Sequence, residues 1–398
     1  MWGSACIKIS DCCWGVGLRG SDNWGSQEGI ASASSRSRSE AQTVWPLGDG
    51  RKLLDLTALR LPPILGQGKF RAEVDRTFMG ERTMKFLAVL TLSSAIALAS
   101  SSATFAGDPE SCKTVKFSDV GWTDITATTA IANEIFKGLG YTPKITVLSV
   151  PVTYASMKNK DIDVFLGNWQ PSMENDRKPY VEDKSVIVTG ANLPVGAKYT
   201  LAVPQYTYDK GLKDFGDIEK FKDSLKGKIF GIEPGNDGNR LVLDLIKGDK
   251  FGLKNFQLVE SSEQGMLAEV QRATSHKEDV VFLGWAPHPM NVNFKIQYLT
   301  GGDDSFGPNF GGAIVYTNER AGWAEQCPNA AKLISNLIYT VDIENLVMNK
   351  ILTDGDEGPK AAQEWLKTNP PQLASWLDGV TTFDGQPGLD AVKKSLGL

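Results

Sequence analysis

From Lys113 to the C-terminus, short apolar runs alternate with segments whose apolar residues recur every three or four positions. The short runs predict strands at 114–118, 144–149, 164–166, 198–203, 229–231, 256–259, 280–283 and 313–316. The longer periods predict helices. One spans 125–139, with Ile131, Ile135 and Leu139 on one face and Gly140 as its stop. Others fall at 152–158, 241–247, 264–272, 330–339, 343–351, 361–367 and 389–396. Alternation of this kind predicts an α/β fold: mainly parallel sheets covered by helices. The chain is expected to build one lobe over 107–194, cross near Pro194 to a second lobe over 195–300, and return to the first over 301–398. The return passes through Gly301-Gly-Asp-Asp-Ser-Phe-Gly307, polar and glycine-rich as a hinge or loop would be. Ligands of two-lobed folds sit between the lobes.

The first 106 residues do not join this pattern. Residues 84–106 read as a secretory signal peptide. Met84-Lys85 follows Arg82, a short apolar run extends from Phe86 to Ala99, and a small-residue stretch ends Ala-Thr-Phe-Ala106 before Gly107-Asp-Pro. A core helix is the plainer reading of such a run; the small residues and acidic start that follow favour processing. Residues 1–83 are rich in Ser and Gly and hold no sustained period. They are expected to be a non-native stretch upstream of a true start at Met84, or a disordered extension. N-terminal sequencing of the exported protein distinguishes the two.

Composition narrows the partner. The chain has 398 residues, 41% hydrophobic and 22% charged, enough for two domains with cores of their own. The first 106 residues carry 12 of the 42 Lys and Arg and 9 of the 47 Asp and Glu, which leaves 30 against 38 and a net charge of −8 for the remainder. That balance disfavours nucleic acid, whose phosphates need a basic surface, and suits a neutral or cationic small molecule. Of five cysteines only Cys112 and Cys327 remain after processing, and a lone pair in an exported protein is expected to form one disulfide. These cysteines with His276 and His288 lack metal-ligand spacing, so no metal is expected.

Three short apolar strands run into glycine and tryptophan: Phe117-Ser-Asp-Val-Gly-Trp-Thr-Asp124, Asp161-Ile-Asp-Val-Phe-Leu-Gly-Asn-Trp169 and Asp279-Val-Val-Phe-Leu-Gly-Trp285. Any one such Trp is more often core than site, and Trp323, Trp365 and Trp376 read as core or surface packing. Three alike, each with a glycine expected to turn the backbone sharply, point to indole rings delivered to one sheet edge. With the carboxylate of Asp124 beside one of them, they suggest a cage for an organic cation. Asp124 is also placed to cap the helix that follows. Tyr199 reads by itself as sheet packing. Asn236 lies in Glu233-Pro-Gly-Asn-Asp-Gly-Asn-Arg240, between strand and helix. That loop has no Gly-Lys-Ser/Thr ending for a nucleotide and is expected to offer the Asn236 amide to a polar ligand group. Asp354–Gly358 reads as a turn rather than a calcium loop.

From about Ser111 to Leu398 the chain resembles the periplasmic choline-binding proteins of bacterial ABC importers, within the glycine betaine and choline substrate-binding family. The resemblance lies in Ser118-Asp-Val-Gly-Trp-Thr-Asp124, Val164-Phe-Leu-Gly-Asn-Trp169, Gly231-Ile-Glu-Pro-Gly-Asn-Asp-Gly-Asn-Arg240 and Val281-Phe-Leu-Gly-Trp285. It implies a bilobed periplasmic binding protein fold with a hinge. It implies an aromatic box of Trp122, Trp169, Tyr199 and Trp285, with Asp124 and Asn236 at the ligand's hydroxyl end, and it supports the Cys112–Cys327 disulfide. It also implies a monomer that serves an inner-membrane ABC permease and has no cofactor and no catalytic activity. Choline is expected over glycine betaine, whose carboxylate would face Asp124 with no arginine in these motifs to offset it. Binding of glycine betaine or acetylcholine is the near alternative. A secreted choline-ester hydrolase is the distant one, disfavoured because neither His276 nor His288 accompanies a Gly-x-Ser-x-Gly elbow. Residues 1–83 depart from the family pattern.

Overall fold

A computed structural model describes residues 107–398; the expected extension and signal peptide lie outside the described residues. Nine strands run in chain order: β1 Lys116–Asp119, β2 Lys144–Val147, β3 Val164–Gln170, β4 Val186–Pro204, β5 Lys228–Phe230, β6 Gln257–Val259, β7 Phe282–Ala286, β8 Ile296–Tyr298 and β9 Gly312–Arg320. The longer helices are α1 Thr123–Gly138, α2 Val150–Lys158, α3 Glu174–Glu182, α4 Asp237–Lys247, α5 Glu263–His276, α6 Pro328–Asn336, α7 Val341–Leu352, α8 Gly358–Thr368, α9 Pro370–Trp376 and α10 Gly388–Leu396. None of the helices in the described residues is long and apolar enough to cross a membrane.

The strands form one sheet in the order β2-β1-β3-β9-β4-β7-β5-β6, with β8 paired to β4. The two parallel groups expected from the alternation lie at its ends. β1 pairs β2 and β3 in parallel, and β5 pairs β6 and β7 in parallel. Two antiparallel strands join them. β4 runs beside β9 from Val186 to Lys198 and then beside β7 from Lys198 to Ala202. β4 runs without a loop through Pro194, where the chain is expected to cross. The pairing with β9 slips between Val188 and Gly190, between Ala191 and Leu193, and between Leu193 and Ala197; within the last interval Pro194 lacks an N–H to donate and Gly196 takes φ +94°.

Two hydrophobic cores back this sheet. One gathers Phe165, Leu201, Phe215, Phe282 and the site described below. The other sets α1 against the C-terminal helices, with Phe117, Phe136, Trp323, Trp365 and Trp376 buried in it. Cys112 and Cys327 are joined there, Cα to Cα 5.6 Å. Asp108 holds the same end: its carboxylate accepts from the backbone N–H groups of Asn329 and Ala330, each at 2.9 Å, in the first turn of α6.

Candidate ligand-binding site

The site forms where strands from both ends of the sheet finish. After β1, Gly121 takes φ +82°, a left-handed turn that only glycine adopts freely, and Trp122 follows as the residue before α1. The other two glycines do not turn the chain as expected. Gly167 and Gly284 sit inside β3 and β7, and what they provide is close approach. A Cβ on Gly167 would lie 2.8 Å from Ile125 of α1, and one on Gly284 would lie 2.8 Å from Ala202 of β4. Trp169 and Trp285 are thus strand residues, oriented by the pleat. Tyr199 on β4 is the direct cross-strand partner of Trp285.

Trp122, Asp124, Trp169, Tyr199 and Trp285, with Ile232 beyond the end of β5, line one cavity. The Trp169 and Tyr199 rings stand 6.1 Å apart at 62°, and those of Tyr199 and Trp285 stand 6.2 Å apart at 88°. Phe306 braces Tyr199 from behind, edge to face at 6.0 Å. Five of the six expected binding residues therefore converge. Asn236 is close but does not line the cavity. It is the N-cap of α4: its Oδ1 accepts from the Asn239 N–H at 2.8 Å, while its amide donates to the Glu233 carbonyl. The Tyr199 hydroxyl donates to the same Oδ1 at 3.4 Å. Asp124 is not the N-cap of α1; it is the second residue inside the helix, where its charge still favours the dipole.

Asp124 is the electrostatic centre. It is buried, and its Oδ2 accepts from the Trp169 indole N–H at 3.2 Å. Its Oδ1 has no partner. Burial, then the nearby Glu263, hold the carboxyl well above the ordinary carboxylate range. An aromatic cavity with one unsatisfied acid oxygen is therefore built for a cation that also carries a hydrogen-bond donor.

Residues that the motifs did not flag complete the surroundings. The Trp122 indole donates to Glu233 Oε1 at 2.7 Å, and Arg240 clamps both oxygens of Asp176 at 2.8 and 2.7 Å. Each joins residues near β1–β3 to residues near β5–β7. Burial pushes Glu233 up to about 7. A carboxyl raised above its unfolded value binds its proton more tightly in the folded state. Its contribution to stability therefore falls as pH climbs from about 4.5 to about 7. Glu233→Gln, which keeps an acceptor for Trp122, should match the wild type at pH 4.5 and exceed it by about 1 kcal/mol at pH 8, solvent screening included. Thermal melts of the ligand-free protein at both pH values check this, and parallel profiles would contradict it.

Residues 113–368 match the family described as the substrate binding domain of ABC-type glycine betaine transport systems. Among solved structures, an ABC-transporter choline binding protein in complex with choline is 61% identical, with 73% of this chain and all of that one covered and a TM-score of 0.72. Lactococcal OpuAC, closed around glycine betaine, is 25% identical over 66% of this chain and 98% of its own, with a TM-score of 0.60. The glycine betaine/carnitine transport binding protein GbuC of Listeria monocytogenes is 31% identical over 44% of this chain and 54% of its own length. With five expected residues around one cavity and the match covering both groups of strands, the chain belongs to the family of ABC-importer substrate-binding proteins, which bind solutes for transport outside the cytoplasm and are not enzymes.

Proposed function

We propose that this chain captures choline outside the cytoplasmic membrane and delivers it to an ABC permease. One observation carries the reading: a buried cavity walled by four aromatic rings contains a carboxylate oxygen without a partner. A trimethylammonium group has no N–H to donate, so ring faces suit it better than polar atoms, at roughly 0.5–2 kcal/mol per ring. The hydroxyl of choline supplies the donor that Asp124 Oδ1 lacks. Trp122, Trp169, Tyr199 and Trp285 form the box, Asp124 takes the hydroxyl, and Asn236 sets Tyr199 from behind with an amide hydrogen to spare for the ligand. The structure related at 61% identity was solved with choline bound, which supports the same ligand class here.

The moving parts in this proposal are a lobe of residues 107–194 and 301–398 and a lobe of 195–300, hinged on β4 and β9. The active form is a monomer exported by residues 84–106. Titration of intrinsic tryptophan fluorescence with choline, glycine betaine and acetylcholine tests the reading. Saturation at one choline per chain, tighter than either relative, is expected; no response to choline would overturn it. Turnover of a choline ester would favour the hydrolase instead, but His288 is buried with both ring nitrogens engaged.

Tyr199 depends on a glycine. A Cβ on Gly238 would fall 1.9 Å from the Tyr199 hydroxyl oxygen and 2.5 Å from its Cζ. Gly238→Ala should therefore push the ring out of the box. Calorimetry should find choline binding about tenfold weaker, the loss of one cation–π face, with the circular dichroism spectrum intact. Wild-type affinity in this variant would remove Tyr199 from the box.

A further inference from the structure

One contact crosses between the two groups of strands without touching the cavity. Glu263 is the first residue of α5, which lies between β6 and β7. Its Oε2 accepts from the Thr123 backbone N–H at 2.8 Å, and its Oε1 accepts from the Thr123 hydroxyl at 2.6 Å. Thr123 opens α1, next to β1, and the preceding Trp122 offers that helix no side-chain acceptor. A helix start with a free N–H carries partial positive charge and needs an acceptor. Here the acceptor comes from 140 residues away.

A third bond fixes the carboxylate. His288 Nδ1 accepts from the Met290 N–H at 2.9 Å, which leaves the ring proton on Nε2, and Nε2 donates to Glu263 Oε1 at 3.0 Å. All three residues are buried: Glu263 is 1% exposed, His288 2% and Thr123 3%. The His288 ring lies 4.8 Å from that of Trp285, and Thr123 stands between Trp122 and Asp124. The bonds thus tie one wall of the cavity to the opposite one.

We propose that Glu263 is a positioning residue for closure. It caps α1 only when the two halves meet, and so holds Trp122 and Asp124 over the ligand without touching it. The inference rests on the reading above, in which the halves close on choline. In the open form Thr123 turns to water while Glu263 stays with His288. Bonds that form after the encounter slow departure and leave capture unchanged.

Glu263→Gln keeps the shape and removes the match. Three donors point at the carboxylate, and an amide presents its NH₂ to one of them. Stopped-flow mixing with choline should show koff raised roughly 10-fold, as for loss of a cap or of a hydrogen bond to a charged group. The association rate should stay within about twofold. Thr123→Val removes only the hydroxyl and should raise koff about threefold. In the double variant it should add nothing to Glu263→Gln. An unchanged koff in Glu263→Gln, or effects that simply multiply, would overturn the inference. If Glu263→Gln does not fold, an unchanged koff in Thr123→Val does the same. A wild-type chain that ignores choline would defeat the binding reading alone. The cap would still be tested by small-angle scattering of the empty protein, where Glu263→Gln should shift the population towards the open form and an unshifted curve would overturn it.

Discussion

Trp285→Ala is expected to weaken choline binding roughly 100-fold while the fold survives. The indole forms one wall of the cavity, at right angles to Tyr199. Removing it forfeits a desolvated cation–π contact of up to about 2 kcal/mol and the burial of at least one methyl group, worth about 0.8 kcal/mol. The sum is close to 3 kcal/mol, about two orders of magnitude in Kd. A fully packed core tryptophan would bring a stability loss of similar size. This ring lines the cavity, so part of its surface faces the ligand site rather than packed neighbours. Trp122→Ala should behave alike, with the added loss of its bond to Glu233. Trp285→Phe should recover part of the affinity, because a ring face remains. Calorimetric titration of the three variants decides the matter. Wild-type affinity in both alanine variants would dismantle the aromatic box.

The box could be read in the chain because its parts repeat. Trp122, Trp169 and Trp285 each end an apolar run with glycine close before, and the pleat and the parallel alternation place such residues at one edge of a sheet. What the glycines do could not be read so well: tight packing at Gly167 and Gly284 depends on Ile125 and Ala202, which are distant in sequence. Tyr199 was expected only through the family resemblance, since an aromatic residue in a strand signals packing equally well. Glu263 and His288 gave no local signal at all. Their meaning lies in Thr123, 140 residues from Glu263, and no periodicity reports a partner that far off. Local pattern also missed α3 and the first half of β4. Helix α3 has no buried residue, and the first half of β4 mixes buried and exposed positions without regular alternation, so neither carries an apolar period. The strand β8 is three residues long and begins three residues after the short helix Met290–Asn293, which leaves no run to detect.

Asp124→Asn is expected to cost choline about 30-fold in affinity and to cost glycine betaine nothing, or even to favour it. Asp124 Oδ2 is held by the Trp169 indole, and an asparagine oxygen could keep that bond. The variant therefore changes charge more than shape. A buried charge-assisted hydrogen bond to the choline hydroxyl, with attraction to the ammonium, is worth about 2 kcal/mol, and the variant removes most of it. Glycine betaine carries a carboxylate where choline carries its hydroxyl; for it the wild-type aspartate is a repulsive neighbour, and the amide a neutral one. Acidity gives an independent check. Burial and Glu263 raise the Asp124 carboxyl in the closed site, whereas a bound cation favours its ionised form. Choline affinity should therefore fall as pH is lowered and Asp124 gains a proton, and the part of that fall due to Asp124 should vanish in the asparagine variant. Titrations with both ligands at pH 5 and pH 8 measure the effect. Equal losses for choline and glycine betaine, with the pH dependence unaltered, would show that this carboxylate supports Trp169 and does not choose the ligand.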